Sequence, residues 1–398
     1  MVSRGQMERR LKSAPWLIDA DTQALFSLLD GEGERTRAVG GIVRDTLLGI
    51  ARESGDIDFA TELPPEEVLE RAARRGIAAY PTGISHGTVT LKLNAQVVEV
   101  TTLREDVETD GRHAVVRFGT DWRRDAERRD FTINALYADM LGALFDPLGG
   151  AGDLLEPRVR FIGDPDQRIA EDRLRVYRFF RFSASHAGER FDAAGLDAVT
   201  RAAGTLGALS AERVGAEMRR MLALPKVGIT LTAMTEAGVL DFSDLTLERL
   251  RDYGRRARRP NFFARLAILI AGDEAGDIQQ RWRLSNDEIT RAEAILTVAR
   301  QLEDLRVHEA AYRHPAAIAD GVDVAAVLAG WTEAGKSAVL DQLRDVALTP
   351  FPIGGADLLA LGLTPGPQVG FELGRLERLW IESGFALDRE ALIKLVKR

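Results

Sequence analysis

Strand-forming patterns in this sequence stop near residue 150. Before that point, segments rich in β-branched residues alternate with helical patterns, whereas the remainder is almost entirely helical and rich in Ala, Leu, Arg and Glu. Any sheet must therefore form within the first 150 residues, and the rest of the chain must pack helix on helix. This division predicts an α+β fold: an N-terminal head with a mixed sheet and flanking helices, followed by all-helical domains.

Changes of pattern divide the chain of 398 residues into four predicted domains. A chain of this length holds two to four compact units. We expect a head over residues 1–150, of which residues 1–34 form an N-terminal helical extension. Three helical domains are expected to follow, over residues 151–220, 221–330 and 331–398.

The composition excludes several classes of protein. The sequence contains no cysteine, which rules out disulfide bonds, thiol chemistry and thiolate metal ligands. No apolar run approaches the roughly 18 residues that a membrane-spanning helix needs. The N-terminal segment has no uninterrupted apolar stretch and no small-residue cleavage site. We therefore expect a cytoplasmic protein without a membrane partner, and the sequence predicts no oligomeric state.

The charge distribution bears on nucleic-acid binding. A net charge of −8, from 53 basic and 61 acidic residues, argues mildly against a nucleic-acid partner when the whole chain is considered. Binding depends on local patches, however, and basic residues cluster in this chain. In YGRRARRP, Arg255, Arg256, Arg258 and Arg259 form a candidate RNA-binding surface. A solvated helix face is the alternative.

Several local patterns predict individual elements. Residues 88–101 alternate β-forming side chains on either side of an Asn94-Ala95 turn, which predicts a hairpin. Ser285 followed by Glu288 is typical of a capping box at the start of a helix. Pro367 is expected to open a further helix that continues to Trp380.

The segment VGGIVRDTLLG predicts a strand that passes through two glycines into a helix. A strand over residues 36–39 meets Gly40 and Gly41, and the helix is expected to begin near Val43. Glycines at such a junction let the backbone approach a ligand, and the free N–H groups of the helix N-terminus bind anions. With Arg44 in the first turn, these glycines are candidate nucleotide-binding residues. Purely structural turn or packing roles are the alternative.

The segment GDIDFAT carries two acidic residues on one face of a strand. Side chains alternate along a strand, so Asp56 and Asp58 share a face while Ile57 and Phe59 point into the core. Neighbouring carboxylates repel each other unless a cation lies between them, and Mg²⁺ favours carboxylates together with substrate phosphates. Glu99, in QVVEVTT, would add a third carboxylate if the hairpin packs beside this strand. Three carboxylates can hold two metal ions; a solvated strand end is the alternative.

These motifs resemble a known family. GGIVRD followed by DIDFAT is similar to the metal and nucleotide signature of the polymerase-β-like nucleotidyltransferase superfamily. TGISHGTVT, RRDFTINAL and EDRLRVYRFFRF narrow the resemblance to the class II tRNA CCA-adding enzymes and bacterial poly(A) polymerases. The resemblance covers residues 36–185 and continues more loosely toward the C-terminus.

The resemblance implies an activity and its cofactors. It implies that a tRNA 3′-hydroxyl attacks CTP or ATP without a nucleic-acid template, with two Mg²⁺ ions bound by Asp56 and Asp58. Glu99, from the strand pattern above, is the candidate third catalytic carboxylate. The helical domains would be a neck, a body and a tail. In RRDFTINAL the resemblance implies further nucleotide-binding residues: Arg128 or Arg129 would contact the triphosphate, while Asp130 and Asn134 would hold the sugar or position that arginine.

The segment EDRLRVYRFFRF is expected to form one continuous helix. At 100° per residue, Glu171, Asp172, Arg175 and Arg178 share one side, with Arg181 further round. This spacing is otherwise typical of a surface salt-bridge ladder. The resemblance implies that the five residues bind nucleotide and that Asp172 with Arg175 reads the base. A carboxylate beside a guanidinium matches the donor and acceptor of cytosine and adenine but not those of uracil and guanine.

The choice of family member depends on two segments. Residues 103–124 form a polar stretch similar to the flexible loop that this family uses to switch from CTP to ATP, which favours a complete CCA-adding enzyme; an ordinary hairpin loop is the alternative. The chain ends in LDREALIKLVKR rather than in the strongly basic extension expected of a bacterial poly(A) polymerase. A poly(A) polymerase, a partial CC- or A-adding enzyme and a catalytically inactive RNA-binding protein are the other candidates.

Overall fold

The computed structural model describes residues 3–51, 56–109, 114–272 and 275–397, which fold into two compact units. The first, here called the head unit, comprises Met1–Leu209 and Ala233–Leu240. The second, here called the helical unit, comprises Ser210–Thr232 and Asp241–Arg398. The predicted head and most of the predicted neck therefore belong to one unit.

Every strand among the described residues lies in the head unit, which confirms the predicted α+β division. The strands are β1 (Thr36–Val39), β2 (Ile57–Thr61), β3 (Ala78–Gly83), β4 (Thr88–Leu93), β5 (Gln96–Thr102), β6 (Arg104–Thr109), β7 (Ala114–Phe118), β8 (Tyr137–Ala138) and β9 (Leu144–Phe145). Seven of them form a mixed sheet in the order β3-β4-β5-β2-β1-β8-β9, while β6 and β7 form a separate hairpin. Within the large sheet β2 and β5 are parallel, and the other neighbouring strands are antiparallel.

Helices account for most of the remaining described chain. The head unit contains α1 (Arg4–Lys12), α2 (Pro15–Ile18), α3 (Ala20–Leu28), α4 (Gly41–Leu48), α5 (Pro65–Arg74), α6 (Trp122–Glu127), α7 (Gly150–Leu155), α8 (Pro165–Glu171), α9 (Arg175–His186) and α10 (Ala193–Ala202). The later helices are α11 (Ala211–Leu222), α12 (Gly228–Glu236), α13 (Asp244–Arg256), α14 (Phe262–Ala271), α15 (Ala275–Arg281), α16 (Asn286–Glu303), α17 (Val307–Arg313), α18 (Ile318–Leu328), α19 (Glu333–Asp345), α20 (Gly355–Ala360), α21 (Pro367–Glu382) and α22 (Arg389–Lys394). No described helix is both long enough and apolar enough to cross a membrane.

The predicted hairpin is present as β4 and β5. Asn94 in the turn has a φ of 52°, a left-handed conformation that asparagine tolerates better than most residues. Val89 and Leu91 on β4 are buried, as are Val98 and Val100 on β5. The alternation therefore buries one face of the hairpin and leaves Glu99 on the other, as the sequence predicts.

The helix after the glycine pair begins earlier than expected. α4 starts at Gly41 rather than near Val43, because Gly40 alone makes the turn from β1. Gly40 has a φ of 75° and a ψ of −125°, a conformation that side chains exclude. Arg44 remains in the first turn of the helix.

The prediction that EDRLRVYRFFRF forms one continuous helix is wrong. α8 ends at Glu171, and α9 begins only at Arg175. Asp172, between them, has extended backbone angles, and its carboxylate accepts a hydrogen bond from the backbone N–H of Leu174 at 3.1 Å. Short acidic side chains compete with helical hydrogen bonds in this way, so the break needs neither glycine nor proline.

The polar segment at residues 103–124 contains the hairpin of β6 and β7, followed by α6. The role of this segment as a switching loop stays a prediction. Asp110 and Gly111, at the centre of the expected loop, lie outside the described residues.

The helical unit confirms two predicted helix starts. Ser285 and Glu288 form a reciprocal capping box at the beginning of α16. Pro367 is the first residue of α21, whose Trp380 is buried among apolar side chains of the C-terminal segment.

The fully buried guanidinium of Arg265 donates to the backbone carbonyls of residues 222, 224 and 225, and so satisfies acceptors at the end of α11.

Candidate active site

A row of side chains crosses the sheet through Asp58. In the strand register Asp58 lies opposite Glu99 of β5 on one side and Val39 of β1 on the other. Asp58 and Glu99 are exposed, as is Asp56, which precedes β2 and lies two residues before Asp58. The intervening Ile57 is buried. The structure therefore places the three predicted carboxylates on the exposed side of two adjacent strands.

The donor set at this place fits a metal shared with substrate. Among the residues that the structure describes, no three His, Cys, Asp or Glu side chains gather as a protein-only metal site. Mg²⁺ commonly binds through one or two carboxylates and completes its octahedron with substrate phosphates and water. The exposed carboxylates of Asp56 and Asp58 supply oxygen ligands of this kind. The participation of Glu99 stays a prediction.

Arg44 is held in a buried network at the start of α4. Its Nε donates to Asp45 at 2.7 Å, and its Nη1 donates to the side-chain oxygen of Asn134 at 2.5 Å. Asp45 also contacts Nε2 of His186, at the end of α9, at 3.1 Å. Burial opposes ionisation of Asp45, but His186 and Arg44 outweigh it and lower the pKa to about 2. Burial lowers the pKa of His186, partly offset by its hydrogen bond to Asp45.

Asp130 joins the same network from a different side. Its carboxylate accepts from the side-chain amide of Asn134 at 3.0 Å and forms an ion pair with Arg178 at 2.5 Å. Burial would raise the pKa of Asp130, but the charge of Arg178 and the hydrogen bonds lower it. Asp130 and Asn134 thus position Arg178 and Arg44. The resemblance had implied instead that Asp130 and Asn134 bind the nucleotide sugar or position Arg128 or Arg129.

A different carboxylate, Asp125, holds the two adjacent arginines. Asp125 is 1% exposed and forms ion pairs with Arg128 at 2.7 Å and with Arg129 at 3.1 Å. The hydroxyl of Tyr137 donates to it at 2.9 Å. Burial opposes ionisation of Asp125, but the two guanidinium groups lower its pKa. Because one buried carboxylate pairs with both arginines, their positions are coupled.

Three arginine side chains surround Phe182, and two of them pair with Asp45 and Asp130. The guanidinium carbons of Arg44, Arg178 and Arg181 lie 5.0, 5.3 and 4.1 Å from the centre of its ring. Cations at these distances are attracted to the face of an aromatic ring. The structure therefore brings three predicted nucleotide-binding arginines together, beside the N-terminal turn of α4.

The predicted base-reading residues have partners within the chain. Arg175 pairs with Glu171 at 2.7 Å and donates to the backbone carbonyl of Arg128 at 3.2 Å. Asp172 lies in the break between α8 and α9 and accepts from the Leu174 N–H. The guanidinium of Arg175 is therefore held by the carboxylate of Glu171.

The predicted RNA-binding run divides into two kinds of residue. Arg256 is largely buried and bridges Asp252 and Glu333, at 3.1 and 2.9 Å, so it stabilises the helical unit. Arg255 is 72% exposed, and Arg258 and Arg259 are also exposed. A candidate RNA surface in this run is therefore restricted to Arg255, Arg258 and Arg259.

Three residues of the site escaped prediction. Asp45 follows Arg44 directly, and its place in the first turns of the helix was the available signal. Asp125 precedes the Arg128-Arg129 pair by one helical turn, a spacing typical of ion pairs. His186 carries no local signal, since its contact with Asp45 joins residues 141 positions apart in the chain.

The head matches a known family. Residues 36–160 match the family described as the poly A polymerase head domain. This match includes β1 to β9, and with them the carboxylates and the glycine turn.

Similarity to individual proteins extends over nearly the whole chain. The mitochondrial CCA tRNA nucleotidyltransferase 1 of Danio rerio is 34% identical over 376 residues, which cover 91% of this chain and 87% of the relative. The enzyme of the same name from Homo sapiens is 29% identical, with 96% and 91% covered. A crystal structure of the Bacillus stearothermophilus CCA-adding enzyme in complex with CTP superposes with a TM-score of 0.75 at 25% identity, covering 92% of this chain and 94% of that one.

Proposed function

This chain belongs to the family of CCA tRNA nucleotidyltransferases, and on that premise we propose that it adds CMP, CMP and AMP to the 3′ end of tRNA. The nucleotides come from CTP and ATP, and no nucleic-acid template takes part. The observation that carries the proposal is the 34% identity to the Danio rerio enzyme over 91% of this chain. The head match alone covers only residues 36–160, a region that poly(A) polymerases share.

Each addition exchanges one phosphoryl bond for another. The 3′-hydroxyl of the RNA loses its proton to solvent and its oxygen bonds to the α-phosphorus. The bond from that phosphorus to the β-phosphate oxygen breaks, and pyrophosphate leaves. Asp56 and Asp58 would hold Mg²⁺, and Glu99 lies beside Asp58 in the register. When bound, the two ions supply activation of the hydroxyl and neutralisation of the phosphate charge. The protein contributes mainly positioning and electrostatic stabilisation.

The arginines around Phe182 are suited to bind the triphosphate. The free N–H groups at the start of α4 favour an anion, and the turn at Gly40 leaves the backbone open to close approach. Arg44, Arg178 and Arg181 surround Phe182 nearby. Asp125 fixes the orientation of Arg128 and Arg129, of which at least one would complete the phosphate contacts.

Selection of the base would take place at the break between α8 and α9. Asp172 and Arg175 offer an acceptor and a donor in adjacent positions, which matches cytosine and adenine. Glu171 holds Arg175 at 2.7 Å, so that the guanidinium is oriented before the nucleotide binds. A preformed pair of this kind discriminates by leaving its polar groups unpaired when the wrong base enters.

The RNA would also contact the helical unit. Arg255, Arg258 and Arg259 form its proposed RNA surface, whereas Arg256 pairs with Glu333. A cytoplasmic location stays a prediction, since the Danio rerio and Homo sapiens relatives are mitochondrial enzymes.

The direct test supplies tRNA lacking its terminal CCA and each nucleoside triphosphate in turn. We expect CTP alone to add two residues and ATP alone to add one residue to tRNA ending in CC, after which addition stops. UTP and GTP should give little product. A long tail from ATP alone would indicate a poly(A) polymerase, and a product that stops at CC would indicate a partial enzyme. Absence of any incorporation would overturn the proposal.

A further inference from the structure

The row through Asp58 continues to the edge of the sheet. Glu99 lies opposite Thr90 of β4, and Thr90 lies opposite Tyr80 of β3, the edge strand. Directly paired residues share one face of a sheet, so Tyr80, Thr90, Glu99 and Asp58 all project to the same side. Three strand spacings of about 4.8 Å place Tyr80 roughly 14 Å from Asp58.

The two ends of this row differ in burial. On the β1 side of Asp58 the row is covered, since Val39 and Tyr137 are buried under Trp122 and its neighbours. On the β5 side Glu99 and Tyr80 are exposed and Thr90 is half-buried. Tyr80 is 51% exposed and Val97 is 49% exposed on the same face. A tyrosine ring half exposed on an open sheet face is an apolar surface that the described fold leaves uncovered.

The geometry of the reaction determines from which side of Asp58 each substrate approaches. The attacking and leaving oxygens lie roughly in line on opposite sides of the phosphorus. Under the proposed function, the triphosphate lies beyond the end of β1 and its covered residues, where Gly40 and the start of α4 are located. The attacking hydroxyl must then approach from the opposite side, across β5 and β4.

We propose that the open face of β3 to β5 binds the 3′-terminal strand of the RNA acceptor, and that Tyr80 stacks on one of its bases. This acceptor face consists of Tyr80, Thr82, Thr90, Lys92 and Val97, and the inference rests on the proposed function. An RNA strand that delivers its 3′-hydroxyl to Asp58 from this side must lay its preceding nucleotides across the acceptor face.

The side chains of the acceptor face match single-stranded RNA. Aromatic rings stack on any base, because every base has a π-face, and they do so without reading its sequence. The hydroxyls of Thr82 and Thr90 lie 2.7 Å apart, and both are suited to bind ribose or phosphate oxygens. The exposed ammonium group of Lys92 supplies a positive charge for the backbone. This chemistry tolerates the different acceptor sequences that a tRNA-elongating enzyme meets.

The test compares two substitutions of Tyr80 with a control. Tyr80→Ala removes the ring, Tyr80→Phe keeps it, and Leu141→Ala changes another exposed apolar residue of the head unit, which is 75% exposed. With tRNA lacking CCA, we expect Tyr80→Ala to lower kcat/KM for tRNA by about 5- to 150-fold, the range for loss of one base–aromatic stack. The KM for CTP should not change, and Tyr80→Phe should remain close to wild type.

A binding measurement separates stacking from a general loss of activity. 2-Aminopurine placed near the 3′ end of the tRNA should be quenched by the wild type and by Tyr80→Phe, but less by Tyr80→Ala. An equal kcat/KM for tRNA in Tyr80→Ala and Leu141→Ala, with unchanged quenching, would overturn this inference while leaving the proposed function intact. Failure of the wild type to elongate tRNA would overturn the proposed function and, with it, the inference.

Discussion

Asp56 and Asp58 present exposed carboxylates two residues apart at the start of β2, where they repel each other in the absence of a cation. We expect Asp56→Ala or Asp58→Ala to reduce nucleotide addition by roughly 10³-fold or more, because bound metal supplies several kcal/mol of charge stabilisation. The thermal stability of Asp56→Ala should be unchanged or slightly higher, since the repulsion is relieved. Single-turnover addition of CMP to tRNA measures the first effect, and thermal denaturation measures the second.

A matched control for this loss is Glu70→Ala, which removes an exposed carboxylate from α5. It should leave activity unchanged. Activity within tenfold of wild type in either aspartate variant would contradict the metal assignment. Glu99→Gln tests the third position separately, because it keeps the shape of the side chain and removes only its charge.

The exposure of these carboxylates was predictable because it depends on a local rule, the alternation of side chains along β2 and β5. That Glu99 lies next to Asp58 depends on the pairing of β5 with β2, which the sequence left as a condition and the structure shows. The partners of the arginines were not predictable in the same way. Asp130 contacts Arg178 across 48 residues and His186 contacts Asp45 across 141 residues. Such contacts depend on how α9 packs against the head. Neither the periodicity of apolar residues nor secondary-structure propensity determines this packing.

At the level of elements, α8 and α9 show where periodicity misleads. EDRLRVYRFFRF has no helix breaker and a regular acid–base spacing, so a single helix was the natural prediction. Because the helix breaks at Asp172, two separate contacts take the place of the expected salt-bridge ladder. Glu171 at the end of α8 pairs with Arg175 at the start of α9, and Asp172 accepts the N–H of Leu174. Asp172 and Arg175 thus lie at a junction of helices rather than along one helical face.

Base selection should depend on this junction. Replacing Asp172 and Arg175 with alanine should allow UTP or GTP to compete, because each charged hydrogen bond that is removed is worth about 1.5–3 kcal/mol, or about 10- to 150-fold in discrimination. Glu171→Gln should have a smaller effect, because it loosens the orientation of Arg175 without removing it. Competition between CTP and UTP for addition to tRNA lacking CCA measures the ratio of CMP to UMP incorporated.

Arg173→Ala provides the control for that experiment. Arg173 lies between the two tested residues but donates to Thr205, away from them. Its substitution should leave the ratio unchanged. If the double variant kept the full preference for CTP and ATP, the junction would have a structural role only.

The whole molecule combines an acidic composition with a local basic surface. Its division into a sheet-bearing head and a helical remainder was predictable, because strand and helix periods differ and the change near residue 150 is abrupt. The unit boundary was not, since the first 209 residues form one compact body that includes most of the predicted neck. Aromatic packing of Phe131 against Phe161 and against Phe179 of α9 joins the predicted head to the predicted neck.

RNA binding by an acidic protein should follow the exposed patch and not the net charge of −8. Reversing Arg255, Arg258 and Arg259 to glutamate should weaken tRNA affinity and flatten its salt dependence by about 0.9 in log–log slope for each duplex phosphate that the variant no longer neutralises. Affinity for free CTP should be unchanged. Arg256 is left intact, because its ion pair with Glu333 supports the fold.

The control reverses Arg4, Arg74 and Arg344, which are exposed to a similar degree but dispersed along the chain. Both triple variants change the net charge equally, so a general electrostatic effect would alter their salt slopes to the same extent. A specific surface would alter only the first, and identical slopes for the first variant and the wild type would exclude this run from the RNA interface.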